Sequence, residues 1–112
     1  MEVSVLGRKD TVPDEVRALA HAKVAKLGRF NPVLEHAEVR LTEDPDAPGA
    51  KRRRCEVIIT GHGHTVRARA AEADVLVAVD KVVHKLEHQL ERLKGKLVGR
   101  SHPRRNRLIA RA

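Results

Sequence analysis

The feature that most constrains the fold of this 112-residue chain is a stripe of apolar side chains near its carboxyl end. The stripe recurs at spacings of 3 and 4 residues, the period of one face of an α-helix, and Asp74 stands before it as a candidate N-cap. Three heptads in a chain that also contains strand patterns more often cover a sheet than form a coiled coil. The members of the stripe are Leu76, Val79, Val83, Leu86, Leu90, Leu93 and Leu97.

A second set of side chains on the same predicted helix is basic. At about 100° per residue, these side chains cluster on the side nearly opposite the apolar stripe. The pattern therefore predicts a helix that packs with one face and presents positive charge on the other. The basic set comprises Lys81, Lys85, His88, Arg92 and Lys96.

The residues before this helix predict four strands, because apolar and polar residues alternate in four short stretches. Residues 61–64, with the sequence Gly-His-Gly-His, predict a tight hairpin between the last two strands, and residues 43–54 predict an exposed loop. The inward rows of the four strands are Val3 and Val5; Ala37, Val39 and Leu41; Cys55, Val57 and Ile59; and Val66, Ala68 and Ala70.

A shorter helix is predicted between the first and second strands. Thr11 is a cap-type residue, and Pro13 suits the first helical turn. The predicted helix ends near Gly28, and the Asn31-Pro32 pair marks its exit. Its apolar face consists of Val16, Ala20, Val24 and Leu27.

The predicted order of elements is β-α-β-β-β-α, which indicates an α+β domain with a four-stranded sheet and both helices on one face. The length suits a single core. We expect residues 1–97 to form this domain and residues 98–112 to form a basic, flexible tail, because Gly99 and Pro103 follow the end of the apolar stripe.

Charge is unevenly distributed along the chain. Residues 1–91 hold 15 Lys and Arg against 15 Asp and Glu, whereas residues 92–112 hold 8 Lys and Arg and no acid, so the net charge of +8 lies in the last 21 residues. Clustered cations favour a polyanion, either nucleic acid or an anionic membrane surface, because binding releases condensed counterions. A solvated basic end without a partner is the alternative. Arg100, Arg104 and Arg105 are therefore candidate RNA-binding residues.

Several classes of protein are disfavoured by what the chain lacks. Phe30 is the only aromatic residue, which argues against domains that stack single-stranded bases on aromatic rings. Cys55 is the only cysteine, the first residues do not resemble a signal peptide, and no apolar run is long enough to span a membrane. We therefore expect a cytoplasmic protein that recognises nucleic acid by backbone and shape, with no membrane partner.

Catalysis is also disfavoured. His84 and His88 match the H-x-x-E-H pattern of some zinc proteases, but no acidic residue follows Glu91 to supply the third ligand. The chain has no P-loop, no G-x-G-x-x-G pattern and no Ser-His-Asp arrangement. We expect no enzymatic activity, no catalytic residue, no metal, no cofactor and no small-molecule substrate.

Two segments carry a resemblance to a known family: VPDEVRALAHAKVAKLGRF at 12–30 and ADVLVAVDKVVHKLEHQLERLKGK at 73–96. Through them, the stretch from Val3 to Leu97 resembles the ribosome hibernation promoting factor family, which includes the ribosome-associated inhibitor. In the second segment the matching positions are Asp74, Ala78, Asp80, Lys85-Leu86-Glu87 and Gln89-Leu90.

The resemblance implies a fold like that of double-stranded-RNA-binding domains and a role as a hibernation factor. Such a factor binds the small ribosomal subunit and its rRNA in the decoding channel, competes there with mRNA and tRNA, and inhibits translation under stress or in stationary phase. The family's rRNA contacts, carried over by position, fall on Lys23, Lys26 and Arg29 of the first helix and on Lys85, Arg92 and Lys96 of the second.

Two other interpretations of the sequence remain open. One is a generic binder of double-stranded RNA or DNA without preference for the ribosome. The other is an interaction module that dimerises through its leucine stripe.

Overall fold

The computed structural model describes residues 1–8, 12–30 and 34–101, and it has the predicted order β-α-β-β-β-α. Short 3-10 helices extend α1 over Lys26–Phe30 and interrupt the connection between β2 and β3 at Gly49–Lys51. The main elements are β1 (Glu2–Leu6), α1 (Asp14–Ala25), β2 (His36–Glu43), β3 (Arg53–Gly61), β4 (His64–Glu72) and α2 (Val75–Ser101).

The four strands form one sheet in the order β1-β2-β3-β4. β1 pairs with β2 in parallel through the α1 crossover, and the other two pairs are antiparallel. The registers place Val5, Val39, Val57 and Ala68 in one row across the sheet. Because side chains alternate between the faces of a sheet, such rows give one apolar face and leave the other face to polar residues.

Both helices pack on the apolar face and share one core, as predicted. Ala20, Val24 and Leu27 are buried from α1 and its 3-10 extension, and Leu86 and Leu90 are buried from α2. Each fully buried Val or Leu side chain stabilises the fold by about 1.5–3 kcal/mol, so the core fixes the position of α2 over the sheet.

The hairpin between β3 and β4 turns through His62 and Gly63. Both residues have positive φ, 49° and 82°, as expected for a two-residue turn that matches strand twist. The positive φ causes no steric strain at Gly63 because glycine lacks a Cβ. The Gly-His-Gly-His prediction is confirmed.

Side chains from the helices bind backbone carbonyl groups at both edges of the sheet. Arg17 of α1 donates hydrogen bonds to the carbonyl oxygens of Val5 (2.9 Å) and Gly7 (2.8 Å), at the free edge of β1. At the other edge, Lys85 Nζ donates a hydrogen bond to the carbonyl oxygen of Arg69 on β4 (2.8 Å). Gln89, one turn further along α2, donates to the carbonyl oxygen of Arg67 (2.9 Å). Such contacts satisfy backbone groups that an unprotected edge would offer to another chain.

The α2 helix begins as predicted, because the Asp74 side chain accepts a hydrogen bond from the Leu76 amide (2.8 Å). It continues to Ser101, four residues past Leu97, where the apolar stripe ends. In the described part of the chain, no helix is both long and apolar enough to cross a membrane.

The packing face of α2 also differs from the prediction. Ala78 and Val82, which the leucine stripe omits, are fully buried, whereas Leu76 and Val83 are only partly buried. The helix is therefore rotated toward β4, whose small Ala68 and Ala70 permit close approach. As a result the basic stripe borders the packing face on the β4 side, and the prediction that it lies nearly opposite is wrong.

Smaller differences occur at the ends of elements. Glu43 belongs to β2, and Arg53 and Arg54 belong to β3, so the predicted loop over 43–54 is shorter. Pro13 immediately precedes α1 instead of occupying its first turn. The predicted cap Thr11, the Asn31-Pro32 exit and residues 102–112 of the tail lie outside the described residues.

Candidate nucleic-acid interface

A cleft of about 850 Å³ lies along the β4 side of the domain. Its lining comes from β2, β3, β4, α2 and the connection between β2 and β3. Six basic side chains face two acidic ones in it, so the cleft has an excess of positive charge suited to phosphate groups. The basic residues are Arg40, Lys51, Arg54, Arg69, Lys81 and Lys85, and the acidic ones are Glu56 and Glu72.

Part of this charge is paired within the protein. Lys81 Nζ lies 2.7 Å from a carboxylate oxygen of Glu72, and Arg54 lies 2.9 Å from Asp44. Arg40 is held by Glu38 and lies 3.8 Å from Glu56.

Two cations of the cleft, Lys51 and Arg69, form no ion pair within the described part of the chain, and both are exposed. Among the described residues, the one polar contact of Lys85 is with the neutral carbonyl of Arg69. The uncompensated positive charge therefore lies along the β4 side of the domain, where α2 meets β4 and at the connection between β2 and β3.

The exposed basic stripe of α2 continues from this cleft along the helix. Arg92 is exposed and makes no ion pair with any residue that the structure describes. His88 is exposed and contacts His84. Lys96 and Arg100 are placed on α2 by their backbone alone, and Arg104 and Arg105 lie outside the described residues.

The three basic residues predicted on the first helix meet at a different place. Lys23, Lys26 and Arg29 line a groove of about 180 Å³ between α1, its 3-10 extension and α2. Asp80 and Glu87 of α2 line the same groove. Lys23 Nζ lies 2.8 Å from Asp80, and because the Lys23 side chain is only 35 % exposed, this ion pair joins the two helices.

The structure thus brings the predicted residues together in two groups and not in one. Lys81 and Lys85 lie on the β4 side of α2, whereas Lys23, Lys26 and Arg29 lie on its α1 side, next to acidic residues. The β4 side carries the more coherent positive surface.

Sequence reasoning missed four basic residues of the cleft. Arg40, Lys51, Arg54 and Arg69 lie far apart in the chain, and the antiparallel registers bring them together. A signal was present in the four consecutive basic residues at 51–54, although their strand register could not be derived from composition.

The described residues contain no group of three or more His, Cys, Asp or Glu side chains arranged to hold a metal ion. The single thiol, Cys55, is buried in β3. Burial raises the pKa of the Cys55 thiol to about 12, and the neighbouring Glu56 carboxylate adds to the shift. A thiol with such a high pKa stays protonated at neutral pH and is a poor nucleophile.

Comparison with known proteins finds relatives of this domain in sequence and in fold. Residues 3–98 match the family described as Sigma 54 modulation protein / S30EA ribosomal protein. Two relatives, each called ribosome hibernation promotion factor, are 32% identical over 88 residues (Deinococcus radiodurans) and 30% identical over 92 residues (Mycobacterium tuberculosis). These alignments cover 79% and 81% of this chain but 46% and 42% of the relatives, so the chain spans less than half their length.

Solved structures with the same fold include the N-terminal domain of Protein Y from Thermus thermophilus, with a TM-score of 0.68 and 29% sequence identity. A ribosomal subunit interface protein from Coxiella burnetii has a TM-score of 0.67 at 22% identity. The matches cover 83% and 85% of this chain and 99% of each of those chains. The second likeness, at its low identity, concerns the fold alone.

Proposed function

The chain belongs to the Sigma 54 modulation protein / S30EA ribosomal protein family, and from that premise we propose that it is a cytoplasmic ribosome hibernation factor. It binds the small ribosomal subunit in the channel that mRNA and tRNA use during decoding. By occupying this channel it inhibits translation under stress or in stationary phase. The names of its relatives support hibernation and the ribosome as partner.

The mode of action is binding and not chemistry. The family is one of ribosome-associated proteins, and the chain is not an enzyme. Its buried, protonated Cys55 offers no nucleophile. Inhibition therefore depends on affinity and on the space that the domain fills.

The observation that best supports RNA as the ligand is the basic cleft on the β4 side of the domain. Lys51, Lys85 and Arg69 contribute charge there that no carboxylate of the described residues neutralises. Phosphate groups placed against such side chains release condensed counterions, which is the main source of sequence-independent affinity for nucleic acid. A channel lined by rRNA presents phosphates on several sides.

The same surface argues for recognition of shape and backbone. Basic side chains contact phosphates and set position, whereas base reading requires groove contacts or stacking on aromatic rings. The chain has one aromatic residue and could not stack successive bases. Binding to a fixed rRNA channel requires no sequence readout, because the channel itself supplies specificity.

The groove on the α1 side is a second, weaker candidate for rRNA contact. Lys26 and Arg29 are exposed there, but Asp80 and Glu87 reduce the local positive potential. We propose that this side contributes less affinity than the β4 side. The division into a domain at 1–97 and a basic tail at 98–112 stays a prediction, and α2 crosses that boundary.

Cosedimentation with purified small subunits tests the proposal. We expect binding at low salt, loss of binding as salt rises, and displacement by tRNA together with mRNA. A protein that neutralises several phosphates loses affinity with a log-log slope of about 0.9 or less per contact.

A duplex RNA of random sequence serves as the competitor control. If it displaces the protein as effectively as tRNA with mRNA does, the chain is a generic duplex binder. If the protein doubles in mass with concentration and ignores ribosomes, it is a dimerisation module. Either result contradicts the proposed function.

A further inference from the structure

His84 and His88 lie one turn apart on the exposed face of α2 and touch each other. Their Nε2 atoms are 3.3 Å apart, and the rings meet edge to face, with centroids 4.7 Å apart and an interplanar angle of 87°. The His84 side chain is 72 % exposed. The two nitrogens are therefore close together and open to solvent.

This separation matches that of two imidazoles bound to one metal ion. Nitrogens that each coordinate tetrahedral Zn²⁺ at about 2.0–2.1 Å stand about 3.3–3.4 Å apart. We propose that His84 and His88 form a binding site for a divalent transition metal such as Zn²⁺. The ion would take one Nε2 lone pair from each ring and complete its coordination with water.

The site requires a free Nε2 lone pair on each ring, and therefore the tautomer with its proton on Nδ1. An Oε1 atom of Glu87 lies 4.0 Å from Nδ1 of His84, which is beyond hydrogen-bond distance, so the carboxylate acts on this tautomer only through its charge. In the ion-free pair, the ring that carries its proton on Nε2 donates it to the other ring. On metal binding that ring carries its proton on Nδ1 instead, and neither ring loses a proton overall.

The surrounding charges are mixed. Asp80 precedes His84 by one turn and Glu91 follows His88 by three residues, whereas Lys81 and Lys85 flank the pair toward β4. No third His, Cys, Asp or Glu completes a metal cluster among the described residues. With two protein ligands, the site binds more weakly than a four-ligand structural zinc site and favours Cu²⁺ over Zn²⁺.

The sequence by itself predicts that the chain holds no metal, because the third ligand of a zinc protease is missing. Catalysis by zinc requires that ligand. Reversible binding requires only two converging nitrogens, and the structure supplies them.

Calorimetric titration of the full chain with Zn²⁺ at neutral pH tests the site, independently of any ribosome. We expect one equivalent to bind. Replacing either ligand, by His84→Gln or His88→Gln, should lower the affinity by more than about tenfold, because loss of even an outer-shell partner typically weakens a metal site about 10–100-fold. Both positions are exposed, so these variants keep the fold.

The hairpin histidines provide the matched control. His62 and His64 flank Gly63 in the hairpin between β3 and β4, and a His62→Gln, His64→Gln double variant should bind Zn²⁺ as the parent does. The proposal is overturned if the parent binds no Zn²⁺, if both single α2 variants bind it unchanged, or if the hairpin variant alone abolishes binding.

Discussion

At the scale of single residues, the state of the Cys55 thiol follows from its position. It lies in the inward row of β3, opposite Ala70 of β4 and against the core. Because burial disfavours the thiolate, its pKa rises from 9.0 to about 12 in the folded protein. The folded chain therefore keeps a proton that the unfolded chain loses above pH 9.

This difference predicts how stability depends on pH. Between pH 9 and about 12 the folded state binds more protons at Cys55 than the unfolded state, so the free energy of unfolding falls as pH rises. We expect urea unfolding between pH 9 and about 12 to show that the free energy of unfolding declines more steeply with pH in the parent than in the Cys55→Ala variant. The same pH dependence in both proteins would show that Cys55 is not the cause.

Arg92 and Lys85 lie on the same basic stripe but have different surroundings. Lys85 binds the Arg69 carbonyl, whereas Arg92 is exposed without an ion pair to any described residue. We expect Arg92→Glu to change the unfolding free energy by less than about 0.5 kcal/mol. Lys85→Glu should cost about 1 kcal/mol, because it removes a hydrogen bond at the sheet edge.

Both substitutions should weaken binding to the small subunit and reduce the salt slope by about 1 for each phosphate that the variant no longer neutralises. The matched control is Glu91→Lys, next to Arg92, which should leave binding unchanged or slightly tighter. If Lys85→Glu and Arg92→Glu both bind the small subunit as tightly as the parent does, this side of α2 does not face RNA.

At the scale of elements, the hairpin between β3 and β4 depends on the left-handed conformation of Gly63, with φ at 82°. Gly63→Ala should destabilise the protein by about 1–2 kcal/mol, although its Cβ would meet no other atom within 4 Å. Gly49→Ala is the control, because its Cβ also has open space but its φ is not positive. Equal midpoints in urea for the two variants would contradict this assignment.

The order and type of the elements could be predicted because strand and helix periods are local properties of the chain. The rotation of α2 could not, because Val82 and Leu76 both fit a helical period and only packing against the small residues of β4 selects between them. The choice of face depends on the shape of the sheet, which no single segment encodes.

The residues of the candidate site could be predicted together only where they share one element. Lys81, Lys85 and Arg92 share one helix, so their alignment followed from the period. Arg40 and Arg69 reach the same cleft through the registers of β2, β3 and β4, which depend on pairing between distant segments. The pairing of Lys23 with Asp80 depends likewise on how the two helices pack.

At the scale of the whole molecule, the domain presents its more coherent positive surface on the β4 side of the sheet. At the two sheet edges, Arg17, Lys85 and Gln89 donate hydrogen bonds to four backbone carbonyl groups. A basic surface of this kind attracts a polyanion.

The most direct test of this account is an electron cryomicroscopy structure of the full chain bound to small ribosomal subunits. We predict density for the domain in the mRNA and tRNA channel, with the basic cleft on the β4 side facing rRNA phosphates and with Arg69, Lys85 and Arg92 within contact distance of them. Density on the outer surface of the subunit, or in the channel with this cleft turned toward solvent, would contradict the account.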